Sequence, residues 1–166
     1  MEKFKKIIKY GLYLLVFLLP VQTRWIIRAG EINGGYWEYG TISLYGTDIM
    51  LILLLILFIV YKIKNQNYNS KFKINKINAI WLFIVVLELA TFVSIFFAPD
   101  KLPAIYGYAR LLLGIGLFWL IISANYDRLK LIYSFLAGAA LQAGLGIWQF
   151  LTQSSFTLKW LGMAGH

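Results

Sequence analysis

Glu88 and Arg110 are the two ionisable side chains that fall deep within long apolar runs of this 166-residue sequence. A charge at bilayer depth costs roughly 2.5–3.5 kcal/mol on insertion scales unless it is paired or hydrated. Two kinds of chemistry follow. Glu88 and Arg110 can neutralise each other as a structural pair. Alternatively, Arg110 faces a cavity opening outward and receives an anionic group such as a lipid pyrophosphate, which a guanidinium binds through its fork of N–H donors. If their two segments are antiparallel neighbours, Glu88 lies ~15 Å and Arg110 ~10 Å below the same boundary, at 1.5 Å per residue. A guanidinium can bridge that gap directly or through water.

Few other residues suggest chemistry. Gln142 and Gln149 are seven apart, on one helix face with Gly138 and Leu145, and small residues (Ala139, Ala140, Ala143, Gly144, Gly146) surround them. That pattern suits close helix packing. Gly107, Gly114 and Gly116 invite the same expectation. The single histidine is His166, and no HExxH, GxSxG or phosphate-cradling glycine loop occurs. No catalytic residue, cofactor or metal site is assigned.

The elements that position these residues are apolar. Hydrophobic residues make up 60% of the chain and charged ones 14%. A chain this short cannot bury so much apolar surface from water, so lipid is the simpler solvent. The net charge of +9 would point to nucleic acid in a soluble protein. Here the basic residues lie between apolar runs, so membrane lipids are the expected partner and nucleic acid is not. Cysteine is absent, which excludes disulfides and thiol chemistry.

A spanning helix needs about 20 apolar residues. The runs predict an all-α polytopic bundle in one membrane domain, 1–166, with about five spans: 7–21, 46–63, 77–98, 103–124 and 131–151. Lys3, Lys5, Lys6 and Lys9 precede the apolar run Leu12–Leu19 in the layout of a secretory signal, but no small-x-small cleavage site follows. A retained signal anchor is expected. Asp48 suits the N-terminus of the second helix, where a carboxylate accepts orphan N–H groups, and Pro103 suits the first turn of the fourth.

Orientation follows from Lys and Arg. One side holds those four lysines, Lys62, Lys64, Lys71, Lys73, Lys76, Arg128 and Lys130; the other holds Arg24, Arg28, Lys101 and Lys159. The bias puts the N-terminus in the cytoplasm and residues 22–45 and 152–166 outside. The Asn- and Lys-rich stretch 65–76 is a solvated loop whose lysines suit anionic headgroups.

The first outward segment combines Trp25, Tyr36, Trp37, Tyr39 and Tyr45 with Arg24, Arg28, Glu31 and Glu38. Asn33-Gly34-Gly35 signals a turn that needs positive φ. A re-entrant turn or short hairpin at the membrane surface is expected. It serves either as an aromatic belt with paired surface charges or as a platform for carbohydrate or lipid.

Four stretches carry a resemblance: LLPVQTRWI after the first span, NGGYWEYGTISLYGTDIMLILLL, PAIYGYARLLLGIGLF, and GIWQFLTQSSFTLKWLGMAGH. In this order the chain resembles the N-terminal portion of the O-antigen ligase family, which includes bacterial polysaccharide polymerases. None of the four is a catalytic signature. The resemblance implies a multi-pass protein of the bacterial inner membrane. It implies transfer of a glycan from undecaprenyl pyrophosphate to a lipid or sugar acceptor, with inversion and with arginines stabilising the departing pyrophosphate. Family members are longer and keep most essential Arg and His residues in later spans and a long outward loop. His166 does not match the family's catalytic histidine; Arg110 alone is a candidate for binding carrier phosphates, with Glu88 pairing to it. The chain is thus expected to be the front of a larger protein and inactive alone. The competing functions are a small transporter or channel subunit, with Glu88 and Arg110 lining a pathway, and a non-catalytic scaffold packing through the fifth span.

Overall fold

A computed structural model describes residues 2–21, 23–64 and 79–153. The described residues form five α-helices: α1 (Glu2–Leu18), α2 (Gly46–Lys64), α3 (Ala79–Phe97), α4 (Lys101–Ser123) and α5 (Arg128–Thr152). The loop 65–76 and most of the C-terminal stretch 152–166, with Lys159 and His166, lie outside the described residues.

Local chemistry explains the helix ends. Helix α1 begins within the lysines, earlier than expected, and stops two residues before Pro20, whose ring disfavours helical backbone ahead of it. Asp100 caps α4 by accepting from the Leu102 N–H at 3.1 Å, so Pro103 falls in the first turn, where its missing N–H costs nothing. Asp127 caps α5, accepting from Leu129 at 3.0 Å. Both aspartates precede helices that begin two or three residues before the apolar runs do.

Four helices, α2 to α5, are long and apolar enough to cross a membrane. Helix α1 has 17 residues and carries four lysines, so it falls short of the expected first span by length and composition. It nevertheless supplies half of the core. Ile8, Leu12, Leu15 and Val16 recur at helical spacing and meet Leu51, Leu54 and Phe58 of α2 and Leu120 of α4. Outside this seam most large apolar side chains are exposed, and α3 buries none of its residues. In water each such side chain forgoes about 1.5–3 kcal/mol of burial. Lipid removes that penalty, and the chain is a polytopic helical membrane protein.

The main packing runs α5–α1–α2–α4–α3, so neighbours in space are not always neighbours in sequence. Close approach depends on glycine at particular places. A Cβ on Gly138 of α5 would strike the Phe17 carbonyl of α1, one on Gly11 would meet Leu54, and one on Gly116 would meet Leu55 at 2.7 Å. Gly107, Gly114, Gly144 and Gly146 face open space, so among the glycines of α4 and α5 only Gly116 and Gly138 serve the expected close packing. The Tyr13 hydroxyl of α1 ties the α4–α5 turn, accepting from the Asp127 N–H at 2.8 Å.

Between α1 and α2 the chain is not helical. Strand β1 (Arg24–Arg28) pairs antiparallel with β4 (Ile42–Tyr45), and inside this ribbon β2 (Glu31–Ile32) pairs with β3 (Gly35–Tyr36). Asn33 and Gly34 form the tip at φ 51° and 79°, as the sequence predicts. A 3-10 turn, Glu38–Gly40, precedes β4. The expected hairpin is therefore present, as a double one.

Candidate functional site

Arg110 leaves the third turn of α4 towards the start of α2. Its Nη1 lies 3.4 Å from Asp48 Oδ2 and donates to the Tyr106 hydroxyl at 3.1 Å. Its guanidinium lies over the Tyr45 ring, 4.4 Å from the centroid, with Tyr106 at 5.8 Å. Tyr106 in turn donates to the Ser43 carbonyl at 2.6 Å. Three elements thus meet at one cation: β4, the first turn of α2, and α4 itself through Tyr106, one turn before Arg110.

The expected Glu88–Arg110 pair does not form. Tyr108 lies on the α3 side of α4, its ring 5.8 Å from Phe92, which is one helical turn from Glu88. Arg110 is two residues further along, about 200° around the helix, and so points away from α3. Depth allowed the pair; azimuth forbids it. Glu88 Oε1 is buried without a hydrogen-bond partner, as is Gln142 Oε1 on α5. Because α4 stands between Glu88 and Arg110, the two do not line one pathway. Asp48 lies in the first turn of α2, as expected of a carboxylate at a helix N-terminus, and pairs there with Arg110.

Both hydrogen bonds of Arg110 use Nη1. Among the described residues the Nη2–Nε edge donates to nothing, and that edge is the fork that fits two oxygens of a phosphate. The Arg110 side chain is 42% exposed and Asp48 is 15% exposed. The carboxylate is thus largely covered while the cation stays open on one side. Aromatic stacking and the ion pair fix the guanidinium plane, so little rotamer entropy remains to be lost on binding.

The hairpin holds a second polar group. Arg24 bonds to Glu38, and Tyr36 donates to the same carboxylate. Hydrogen bonding to Glu38 raises the Arg24 guanidinium above its ordinary range, and the same contact, followed by Tyr36, holds Glu38 below the usual carboxylate range. Thr41, 7% exposed, accepts from the Gly30 N–H at 3.1 Å and lies 3.2 Å from the Tyr36 hydroxyl. Gly30 and Gly40 are in backbone contact, which any Cβ on Gly30 would prevent. Arg28, Glu31 and Trp37 of the hairpin and Asp100 of the α3–α4 turn border a shallow depression of about 380 Å³.

Sequence inspection singled out Arg110 but missed its partners Asp48, Tyr45 and Tyr106. The Tyr106–Arg110 spacing of one helical turn was a signal for the last of these. Nothing local pointed to the other two. No protein-family model, curated protein or solved structure matches the chain. The fold and site define its class, a polytopic helical membrane protein.

Proposed function

We propose that this chain is the N-terminal membrane portion of a bacterial inner-membrane protein akin to the O-antigen ligases. Such a protein moves a glycan from undecaprenyl pyrophosphate to a lipid or sugar acceptor during cell-surface polysaccharide assembly. The observation that carries this is the fixed, half-exposed guanidinium of Arg110, with its Nη2–Nε edge open. Helix α2 has 19 residues, about 28 Å, close to the thickness of the hydrocarbon layer. Asp48 is its third residue, so Arg110 sits within a turn of the hydrocarbon boundary. That is the level of a carrier lipid's phosphates. The charge bias supports an N-in orientation, which makes this end the outer one.

In this role Arg110 binds and orients the pyrophosphate, and Asp48 holds the guanidinium in place. The test is binding of a fluorescent polyprenyl pyrophosphate to the chain in nanodiscs. Arg110→Ala is expected to weaken binding at least ~10-fold, about 1.4 kcal/mol. Asp48→Asn is expected to preserve or tighten it, because it removes a competing anion. Equal binding by wild type and Arg110→Ala would sink the proposal. Residues 1–166 alone are expected to show no glycan transfer from a lipid-linked donor.

A further inference from the structure

The β1–β4 ribbon has two unlike faces. Arg24 pairs with Tyr45, Trp25 with Leu44 and Ile26 with Ser43, and side chains alternate along each strand. On β4 the face of Ser43 and Tyr45 turns to the helices, Ser43 being 3% exposed and Tyr45 stacked on Arg110, while Ile26 opposite Ser43 on β1 is 49% exposed. The opposite face presents Trp25 at 74% and Leu44 at 37% exposure, and Ile27, at the irregularity that follows, is 69% exposed. The register shift between Ile26 and Arg28 sets Arg28 opposite Ile42, on the same side as Leu44. Arg28 forms no ion pair among the described residues. Of the other hairpin aromatics, Tyr36 is held on Glu38 and Thr41, Trp37 against Gly40 and Tyr45 on Arg110, while Tyr39, 87% exposed, lies 6.4 Å from the Trp37 ring in the segment between β3 and β4 and not on this face.

The height of this face is fixed by the chain itself. Strand β4 runs into α2 with no linker, Tyr45 to Gly46, and the Gly46 N–H donates to the Thr23 carbonyl at 3.1 Å. Tyr106 pins Ser43 from α4. The ribbon is therefore a rigid extension of the helix ends. Because α2 matches the hydrocarbon thickness, it leaves no slack to slide. Leu44 lies two residues before Gly46, about 7 Å beyond the helix start at the rise of a strand, and Trp25 is paired opposite it. The headgroup layer is ~5–7 Å thick on each side of the bilayer.

We propose that the Trp25–Ile27–Leu44 face is seated in the headgroup layer of the membrane, leaning onto it beside α2, with Trp25 as the anchor and Arg28 on lipid phosphates. An apolar ring with a polar edge and a cation on a long stem are the side chains that this layer favours. The seated face keeps the hairpin from swinging and so holds Tyr45 and Ser43 against Arg110 and Tyr106.

The chain has no cysteine, so single labels can be placed cleanly. Ile27→Cys and Leu44→Cys would carry nitroxides in vesicles of phosphatidylethanolamine and phosphatidylglycerol. Phe83→Cys on α3 serves as the lipid-facing control and Glu31→Cys as the aqueous one. At 27 and 44, collision with oxygen should exceed collision with a water-soluble nickel chelate, intermediate between the two controls. Trp25→Ser should shift the label at 27 towards the aqueous control. Nickel access at 27 or 44 equal to that at 31 overturns the proposal. So does exclusion of both reagents, which would mean that protein, not lipid, covers the face. An unchanged signal at 27 in Trp25→Ser would remove Trp25 as the anchor and overturn that assignment.

Discussion

Asp48 Oδ2 lies 3.4 Å from Arg110 Nη1, joining the first turn of α2 to the third turn of α4 across 62 positions of sequence. Asp48→Ala leaves the cation unpaired beside two tyrosines and should cost about 1–2 kcal/mol, moderated by the exposure of Arg110. Exchanging the two residues, Asp48→Arg with Arg110→Asp, should recover much of that loss. Denaturation of each variant in mixed micelles measures both. A double variant no better than its worse single would show that the pair contributes nothing.

Glu88 has the opposite status. Its Oε1 is buried without a partner, and Arg110 is on the far side of α4. A charge at this depth is a burden, so Glu88→Gln should leave stability unchanged or raise it, by up to ~2 kcal/mol. The swap Glu88→Arg with Arg110→Glu should restore neither folding nor binding. Restoration by that swap would mean that the two residues do meet.

At Gly138 the α5 backbone meets the Phe17 carbonyl of α1, leaving no room for a Cβ. Gly138→Leu should destabilise the bundle by about 1–3 kcal/mol, the usual scale of overpacking. Gly144→Ala has open space around it and should stay within ~1 kcal/mol of wild type, on the stabilising side. Thermal unfolding of the two variants side by side distinguishes the packing from a general intolerance of α5.

Glu38 gives the hairpin an acid-sensitive contact. Its folded value is lowered below the ordinary 4.5 by Arg24 and then Tyr36. The stabilisation is therefore complete above 4.5 and is lost as pH falls through the lower folded value. The near-ultraviolet dichroism of the hairpin aromatics should fade on acidification in wild type. In Glu38→Gln the hairpin should already be looser at neutral pH, with the acid step gone. Superimposable pH profiles for the two proteins would refute the assignment.

The hairpin tip was legible because Asn33-Gly34 accepts positive φ, a local requirement. The helices were legible because their apolar runs match the length that lipid demands. Their ends were less so: the capping roles of Asp100 and Asp127 were written in residue type, yet the apolar runs drew the expected boundaries inward. The first helix was expected as a span from 7 to 21, but it starts at Glu2 and ends at Leu18, since charge does not stop a helix and an approaching proline does.

By itself, the sequence determined the solvent of this protein, the four long apolar helices among the described residues and the turn at Asn33-Gly34. All of these follow from the composition or spacing of residues close together in the chain. Only the tertiary structure decided that α4 lies between α2 and α3, and with that the partner of Arg110. Two residues along a helix separate Tyr108 from Arg110 by about 200°. Which of them faces Glu88 and which faces Asp48 depends on the rotation of α4 about its own axis, and that is set by packing against both neighbours at once.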